Sequence, residues 1–540
     1  NNEFSVSMYS TGPAATNALT GLAGAWQDSV PSLFISGQVK MSESTLAQNL
    51  TGGIRQFGVQ ELNIGPMVES VSKYFVQIQD PLRIRYELEK AVHISKSGRP
   101  GPVWVEIPMD IQSAMVDKNS LVGFTPEVSY GSPDDFEGMP FEEVTRLLEN
   151  SLRPVLLVGR GVSISGASKM LQEFASRHRI PIVSTYLGID GLTTNSSEYV
   201  GKVGVKGDRA GNLAMQNADL ILAIGTSLHV SVTGYEYKDF GRGAKLVLVD
   251  IEPASHRKST VEVHGVLKFD AKHFISKLNE VASKTFNSSS SNWLHTCAEW
   301  KSRYPVDLPE YSVGPEINIY KFVSRLSALA PSQATFISDA GSAYYAVSQG
   351  VQLTKQGHRY VTSGAMATMG FTLPAAIGAS FSSGKETSIL AVTGDGSFQQ
   401  NIQELQVVAQ FQLPIKIFVL NNSGYLSIRS SQKNYFSSRE IGAGPDSGLT
   451  FPDTLRIADA YGISASRVAN LENLDGEIMQ ALDFPGPFIL DVITPADQLI
   501  IPTVSSSLNA QGVMKSRPLE DMFPFLDREE FASNMQVDPI

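Results

Sequence analysis

Leu390-Ala-Val-Thr-Gly-Asp-Gly-Ser397 and the later run Ile415–Leu420, ending in Asn421-Asn422, decide the fold. The first apolar run stops at Gly-Asp-Gly-Ser. A helix is expected to begin after Ser397, with Glu404 and Leu405 well inside it, and a second strand follows. Asp395 and Asn422 are 27 residues apart, the length of one strand–helix–strand crossover. Right-handed crossovers leave both strand ends on one edge of a parallel sheet, where such folds take ligands. Asp395 offers a hard anionic oxygen and Asn422 a neutral amide oxygen. With diphosphate oxygens and water these complete the octahedron that Mg²⁺ demands. Gly394 and Gly396 admit close backbone approach, and free N–H groups at the helix start favour an anion. A lone Gly-Asp-Gly is more often a tight turn, and a lone Asn-Asn a helix cap. Joined by one crossover, the two point to a metal-diphosphate site.

The same rhythm of apolar strand, Gly-rich turn and helix runs through the chain and predicts parallel α/β units. Phe4–Tyr9 reads as a buried strand meeting the turn Thr11-Gly-Pro-Ala-Ala-Thr-Asn17, then a small-residue helix to Trp26, with further strands at Ser32–Ser36 and Val103–Ile107. Ala114–Met139 keeps no period, and Gly131–Asp135 reads as an exposed connection. A nucleotide-binding type of unit follows, with strands Pro154–Val158, Ile182–Ser184, Leu220–Ile224 and Lys245–Asp250. The run Asn287-Ser-Ser-Ser-Ser-Asn292 reads as a flexible connector. A third unit carries Thr335–Ser338, Ser388–Thr393, Ile415–Leu420 and Phe488–Val492. The expected architecture is three doubly wound parallel-sheet domains, at 1–115, 135–290 and 315–500, with 501–540 as an extended covering tail.

At 540 residues the chain is too long for one core. Hydrophobic residues at 42% are ordinary for a globular protein. A net charge of −11 without a basic run argues against nucleic-acid or anionic-membrane partners. The single cysteine, Cys297, excludes a disulfide framework. No apolar stretch is long enough to span a membrane, and no signal peptide opens the chain, so a reducing cytoplasm is expected.

Gly394-Asp-Gly-Ser-Phe-Gln…Leu420-Asn-Asn422 resembles the thiamine-diphosphate motif. Thr362–Gly378, Ser10–Asn17, Asp28-Ser-Val-Pro31, Gly37-Gln38 and Gly98-Arg-Pro-Gly-Pro102 resemble the acetolactate synthase branch. The resemblance implies pyrimidine-binding, central and diphosphate-binding domains in that order. It also implies a homodimer or homotetramer with active sites between subunits. Carried over by position, Asp395, Asn422 and the Gly424 carbonyl would bind the metal. Ala340, Gly341, Ser342 and Ala343 would cover the diphosphate, and Met369 would wedge the cofactor into a bent shape. Gly394, Gly396, Ser397, Tyr425 and Leu426 would complete its lining. Gln60, in Gly58-Val-Gln-Glu61, would face the reacting carbon from the partner subunit; a surface loop amide is the equal alternative.

The sequence also departs from that pattern. The family's activating glutamate lies well upstream of Ser10-Thr-Gly-Pro13, and Glu3 is too close to the turn to match it. The abrupt start predicts that an N-terminal piece is missing. Ser231 and Ser431 stand where acetolactate synthases place an arginine and a tryptophan for the second keto acid. Serine gives no bidentate grip on a carboxylate; Arg429 either compensates or lies on the surface. Asn422-Ser-Gly-Tyr-Leu-Ser-Ile-Arg-Ser-Ser-Gln432 looks more like carboligases that pass an acetyl unit from pyruvate to a ketone or a nucleotide-linked keto sugar. The family often holds FAD in its central domain, and the resemblance allows FAD here without implying it: Thr185–Leu187, Gly225–Ser227, Asp250–Glu252 and Asp270–Ala271 sit at matching strand ends, but Glu69, Ser227 and Ser231 stand where the family's flavin-contacting arginines do. The leading expectation is decarboxylation of a 2-keto acid with transfer of the acyl unit to a carbonyl acceptor. Acetolactate synthase proper, a C–C bond hydrolase and a simple decarboxylase compete with it, as does a non-catalytic cofactor-binding relative. A Rossmann dehydrogenase is weaker, because Gly159-Arg-Gly161 lacks the third glycine of the fingerprint. His229 is a candidate catalytic imidazole without a paired base in sequence.

Overall fold

The computed structural model describes every residue except 1–3, 51, 127–137, 257, 259, 282–289, 385–386, 509–513 and 540. Residues 1–136 form one compact unit and 137–540 a second. Glu3, the Gly131–Asp135 connection and the Asn287–Ser289 part of the Ser/Asn run lie outside the described residues.

The first unit holds a four-stranded sheet in the order β1-β2-β4-β3. Its strands are β1 (Ser5–Tyr9), β2 (Ser32–Gln38), β3 (Phe75–Gln77) and β4 (Pro102–Pro108), all parallel. β1 is not the buried strand that its apolar sequence predicts. It lies at the sheet edge, with Val6 55% and Met8 77% exposed. β2 and β4 fill the centre, and Trp104 packs flat on Phe34 at 5.5 Å.

The second unit carries two six-stranded parallel sheets. One contains β5 (Pro154–Val158), β6 (Ile182–Ser184), β7 (Tyr199–Lys202), β8 (Leu220–Ile224), β9 (Lys245–Asp250) and β10 (Gly265–Lys268), in the order β10-β9-β8-β5-β6-β7. The other contains β11 (Ala334–Ser338), β12 (Arg359–Thr362), β13 (Ser388–Gly394), β14 (Ile415–Asn421), β15 (Ser464–Val468) and β16 (Phe488–Ile493), in the order β12-β11-β13-β14-β16-β15. The β5–β10 sheet reverses its strand order between β5 and β8; the β11–β16 sheet reverses it between β11 and β13 and again at its far edge, where β15 lies outside β16. Ligand crevices open at such reversals, outside the carboxyl ends of the strands.

One apolar core runs continuously beneath both sheets of this unit. Arg359 grips Asp190 through two 2.6 Å hydrogen bonds, and Leu353 exchanges bonds with Thr194 at 3.0 and 2.9 Å. The residues after β16 close over the β5–β10 sheet: Val504, Leu519 and Met522 join its core, and Arg209 donates to the carbonyls of Met522 and Pro524. Within them β17 (Ser506–Leu508) and β18 (Met514–Ser516) form a small antiparallel ribbon.

Three local expectations need correction. Ser290–Asn292 open a helix, Ser290–Arg303, instead of extending a connector. The helix after β13 begins at Asp395 with Gly394 as its cap, not after Ser397. Glu404 and Leu405 stand at a junction, because non-helical backbone at Asn401 (φ −135°, ψ 35°) breaks the helix there.

Gly159 and Gly161 are explained by backbone packing. Gly159 N–H donates to Ile224 O and Gly161 N–H to Gly225 O, both at 2.9 Å. A Cβ on Gly159 would stand 2.2 Å from the Gly225 carbonyl oxygen. Gly159→Ala should therefore destabilise the protein by about 1–3 kcal/mol. By contrast Gly476→Ala, in an open helical position with nothing within 4 Å, should stabilise it by about 0.5–1 kcal/mol. Thermal denaturation of both variants checks the contrast; equal effects would contradict it.

Candidate active site

Pairing of β13 with β14 in the register Gly394↔Leu420 brings the two strand ends together. Asp395 is buried, and its carboxylate accepts the amides of Gly396 (2.8 Å) and Gly424 (3.1 Å). Burial pushes its pKa up to about 6 against those amides. Asn422 is buried too, and its Oδ1 has no hydrogen-bond partner. An orphaned buried amide oxygen costs about 1–3 kcal/mol unless something accepts its lone pairs. A buried carboxylate and this orphaned oxygen at one strand edge suit a hard cation. Among the described residues no three His, Cys, Asp or Glu side chains cluster as a metal site, so a cation here would need oxygens besides acidic side chains: amide, backbone carbonyl, water or diphosphate.

The loops around this pair are tightly built. Ser423 turns at φ +58°. A Cβ on Gly424 would meet the Ala443 carbonyl at 2.2 Å, and one on Gly396 would meet the Tyr425 ring at 2.2 Å. Tyr425 packs edge-on against Phe451, and buried Leu426 opens the helix Leu426–Tyr435. Arg429 is not a surface residue: its side chain is 12% exposed, faces Glu440 and donates to the Ala496 and Ala443 carbonyls. Ser431 is exposed on the same helix.

Ala340 and Ala343 are buried at the carboxyl end of β11, and Gly341 turns at φ +60° to open the helix Gly341–Gly350, with Ser342 in its first turn. Asp339, which sequence reasoning passed over, organises this end of the sheet. Its carboxylate accepts the hydroxyls of Thr393 (3.0 Å) and Ser397 (2.5 Å) and the Ala340 amide (2.7 Å). Ser397 Oγ in turn accepts the Gly370 amide at 2.8 Å, and Asn401 donates to the Gly370 carbonyl. Burial pushes Asp339 up despite these donors. The web locks the backbone behind Met369, which is 38% exposed and so is no core residue. The signal was an acid one residue past a strand end, two residues before Gly341.

In the first unit Gln60 is exposed at φ +61°. A Cβ on Gly12 would touch its carbonyl at 2.4 Å, so the Thr11–Pro13 turn lies against it. Buried Glu61 ties the loop by accepting the Thr45 hydroxyl and the amides of Thr45, Phe57 and Gly58. Burial pushes that carboxyl up, but these donors outweigh it and leave it below the usual range. Glu106, buried at the end of β4, accepts from Gln38 (3.0 Å) and Gln77 (2.8 Å), and Gln38 also holds Leu62 O.

In the β5–β10 sheet His229 caps a short helix by accepting the Ser231 amide (3.2 Å). Burial, then Lys258, pushes its pKa down. Asp250 accepts from His256 at 3.3 Å, and Lys258 donates to the Ser227 and Leu228 carbonyls.

The parallel α/β sheets and the ligand edge of the third define the class of an α/β enzyme that binds a diphosphate cofactor. Three family profiles match in chain order: the N-terminal TPP binding domain of thiamine pyrophosphate enzymes over 1–62, the central domain over 141–278 and the C-terminal TPP binding domain over 339–492. The acetolactate synthase large subunit of Cyanidium caldarium is 30% identical over 512 residues, covering 93% of this chain and 84% of that protein. Acetolactate synthase 2, chloroplastic, of Nicotiana tabacum is 30% identical, covering 93% and 74%. Acetolactate synthase of Arthrospira platensis is 30% identical, covering 94% and 86%. The chain belongs to the thiamine-diphosphate-dependent enzymes, in their acetolactate synthase-like branch.

Glu106 supplies a pH test of the first unit. Burial pushes its carboxyl up to about 7, and the charge of Glu61 adds to that. A raised acid contributes stability that is present below its unfolded pKa and lost as pH rises through about 7. Thermal midpoints should therefore fall more steeply between pH 5 and 8 in the wild type than in Glu106→Gln. Identical slopes would contradict this assignment.

Proposed function

We propose that this enzyme decarboxylates a 2-keto acid, pyruvate first among them, and joins the acyl unit to the carbonyl carbon of an aldehyde or ketone acceptor. A nucleotide-linked keto sugar is one such acceptor. The orphaned Oδ1 of Asn422 beside the buried carboxylate of Asp395 carries this reading. With the Gly424 carbonyl these groups would hold Mg²⁺, and the Ala340–Ala343 turn would cover the cofactor's diphosphate. Gly394, Gly396, Ser397, Tyr425 and Leu426 would line the same place, and exposed Met369 would support the bent cofactor. Thiamine diphosphate supplies, when bound, a carbon nucleophile and an electron sink. The bond between the donor's carboxyl and carbonyl carbons breaks, CO₂ leaves, and one new C–C bond forms to the acceptor. The acceptor's oxygen takes up one proton.

Gln60, on its glutamate-tied loop, is assigned to the reacting carbon from the partner subunit of a homodimer or homotetramer. Open small-residue faces support self-association: Gly378 has nothing within 4 Å and Phe381 is 58% exposed on one helix, and Gly21 and Gly24 are open on another. Ser231 and Ser431 bring no charge to a second keto acid, and Arg429 is spent on protein carbonyls. That favours a ketone or sugar acceptor over acetolactate synthesis proper. FAD is not part of the proposal, because Lys258 and His256 already engage the loops after β8 and β9. A buried lone thiol, Cys297, fits the cytoplasm, and no helix among the described residues is long and apolar enough to cross a membrane.

Purified protein with thiamine diphosphate and Mg²⁺ should release CO₂ from pyruvate, and Asp395→Ala should weaken Mg²⁺-dependent cofactor binding at least about ten-fold. Undiminished cofactor affinity in Asp395→Ala would overturn the site. Absence of CO₂ from every 2-keto acid tried would overturn the activity.

A further inference from the structure

After β7 the chain leaves the sheet through Val203-Gly-Val-Lys206, and its backbone is clamped there. A Cβ on Gly204 would stand 2.1 Å from the Ser231 carbonyl oxygen. The Val205 amide donates to that oxygen at 2.8 Å, and the Lys206 amide donates to the Tyr186 hydroxyl at 2.8 Å. The half-buried Lys206 side chain then runs toward the helix Gly341–Gly350. Its Nζ lies 5.6 Å from the centre of the Tyr345 ring and 3.3 Å from the Ile500 carbonyl oxygen.

An ammonium carries three N–H donors. Three other lysines withdrawn from water in this unit each reach two backbone carbonyls: Lys202 those of Gln349 and Val351, Lys301 those of Thr194 and Tyr199, and Lys416 those of Phe484 and Gly486. Lys206 reaches one, at 3.3 Å, and a ring. No carboxylate among the described residues pairs with it, and burial alone pushes its pKa down to about 8. A withdrawn cation with spare donors is a place for an anion.

Its position ties it to the reaction site. Tyr345 is one helical turn, about 6 Å of rise, beyond Gly341. Tyr186, bonded to the Lys206 amide, packs edge-on against Tyr344 at 5.9 Å. The Tyr344 hydroxyl donates to the Gly364 carbonyl at 3.4 Å, in the loop that leads to Met369. Leu187 fills the space beside Gly364, where a Cβ would stand 2.6 Å from its Cγ.

We propose that Lys206 is the specificity-determining residue of the acceptor subsite, holding a carboxylate or phosphate carried by the acceptor. This rests on the carboligase reading above. The donor's carboxylate is the wrong partner: it loses its charge as CO₂ forms, so a cation beside it would stabilise the ground state more than the transition state.

Lys206→Met keeps the length and removes the charge, and Lys206→Arg restores it. Calorimetric titration of the holoprotein with 2-hydroxybutyrate and with uridine diphosphate, both unreactive, separates a carboxylate source from a phosphate source. The wild type should bind one of them. Lys206→Met should weaken that binding at least about ten-fold, Lys206→Arg should largely retain it, and thiamine diphosphate affinity should be unchanged. Binding of neither anion by the wild type, equal binding by Lys206→Met, or a parallel loss of cofactor affinity would overturn the proposal. CO₂ release from pyruvate by the wild type reports separately on the carboligase reading.

Discussion

Parallel pairing of β13 with β14, in the register Gly394↔Leu420, is the constraint on which the candidate site depends. It stops two neighbouring strands at almost the same level, so that Asp395 and Asn422 emerge side by side from the sheet. A shift of one residue would turn each side chain to the other face. The register is held by six paired residues between strands whose inner positions are buried. Both ligand candidates are therefore placed at the ends of paired, buried strands of the third sheet, and such fixed placement is what a preorganised cation site requires. The orphaned amide oxygen and the raised carboxyl are two consequences of one arrangement, the one that the proposed Mg²⁺ would complete.

Around that pair the chain uses polar webs to fix loops. Asp339 joins the ends of β11 and β13 to the turn behind Met369 through Ser397. Glu61 does the same for the loop that carries Gln60. Each carboxylate is buried and supplied with several donors, so each holds its loop in one arrangement. Lys206 differs from both, because its ammonium has donors to spare where those carboxylates have several partners.

Much of the fold was legible because interior parallel strands are buried on both faces and read as unbroken apolar runs. Pro154–Val158, Leu220–Ile224 and Lys245–Asp250 are found at their expected bounds, and Ile415–Leu420 is extended only by Asn421. The parallel strands absent from the sequence reading, β3, β7, β10, β12 and β15, are all sheet edges. Segments such as Arg359-Tyr-Val-Thr362 and Ser464-Ala-Ser-Arg-Val468 carry no such run, and partner pairing makes them strands. β1 shows the reverse error: an apolar edge strand read as buried. The crossover spacing made Asp395 and Asn422 legible. Asp339, Lys206 and the clamped Arg429 were not, since their roles depend on carbonyls, hydroxyls and rings distant in sequence.

The most direct measurement is a crystal structure of the protein grown with thiamine diphosphate and Mn²⁺, read by anomalous scattering. The account predicts one strong peak within coordination distance, about 2.0–2.3 Å, of an Asp395 carboxylate oxygen and Asn422 Oδ1, with diphosphate oxygens completing its shell. A peak elsewhere, or a bound diphosphate that leaves the Asn422 amide oxygen unliganded, would contradict it.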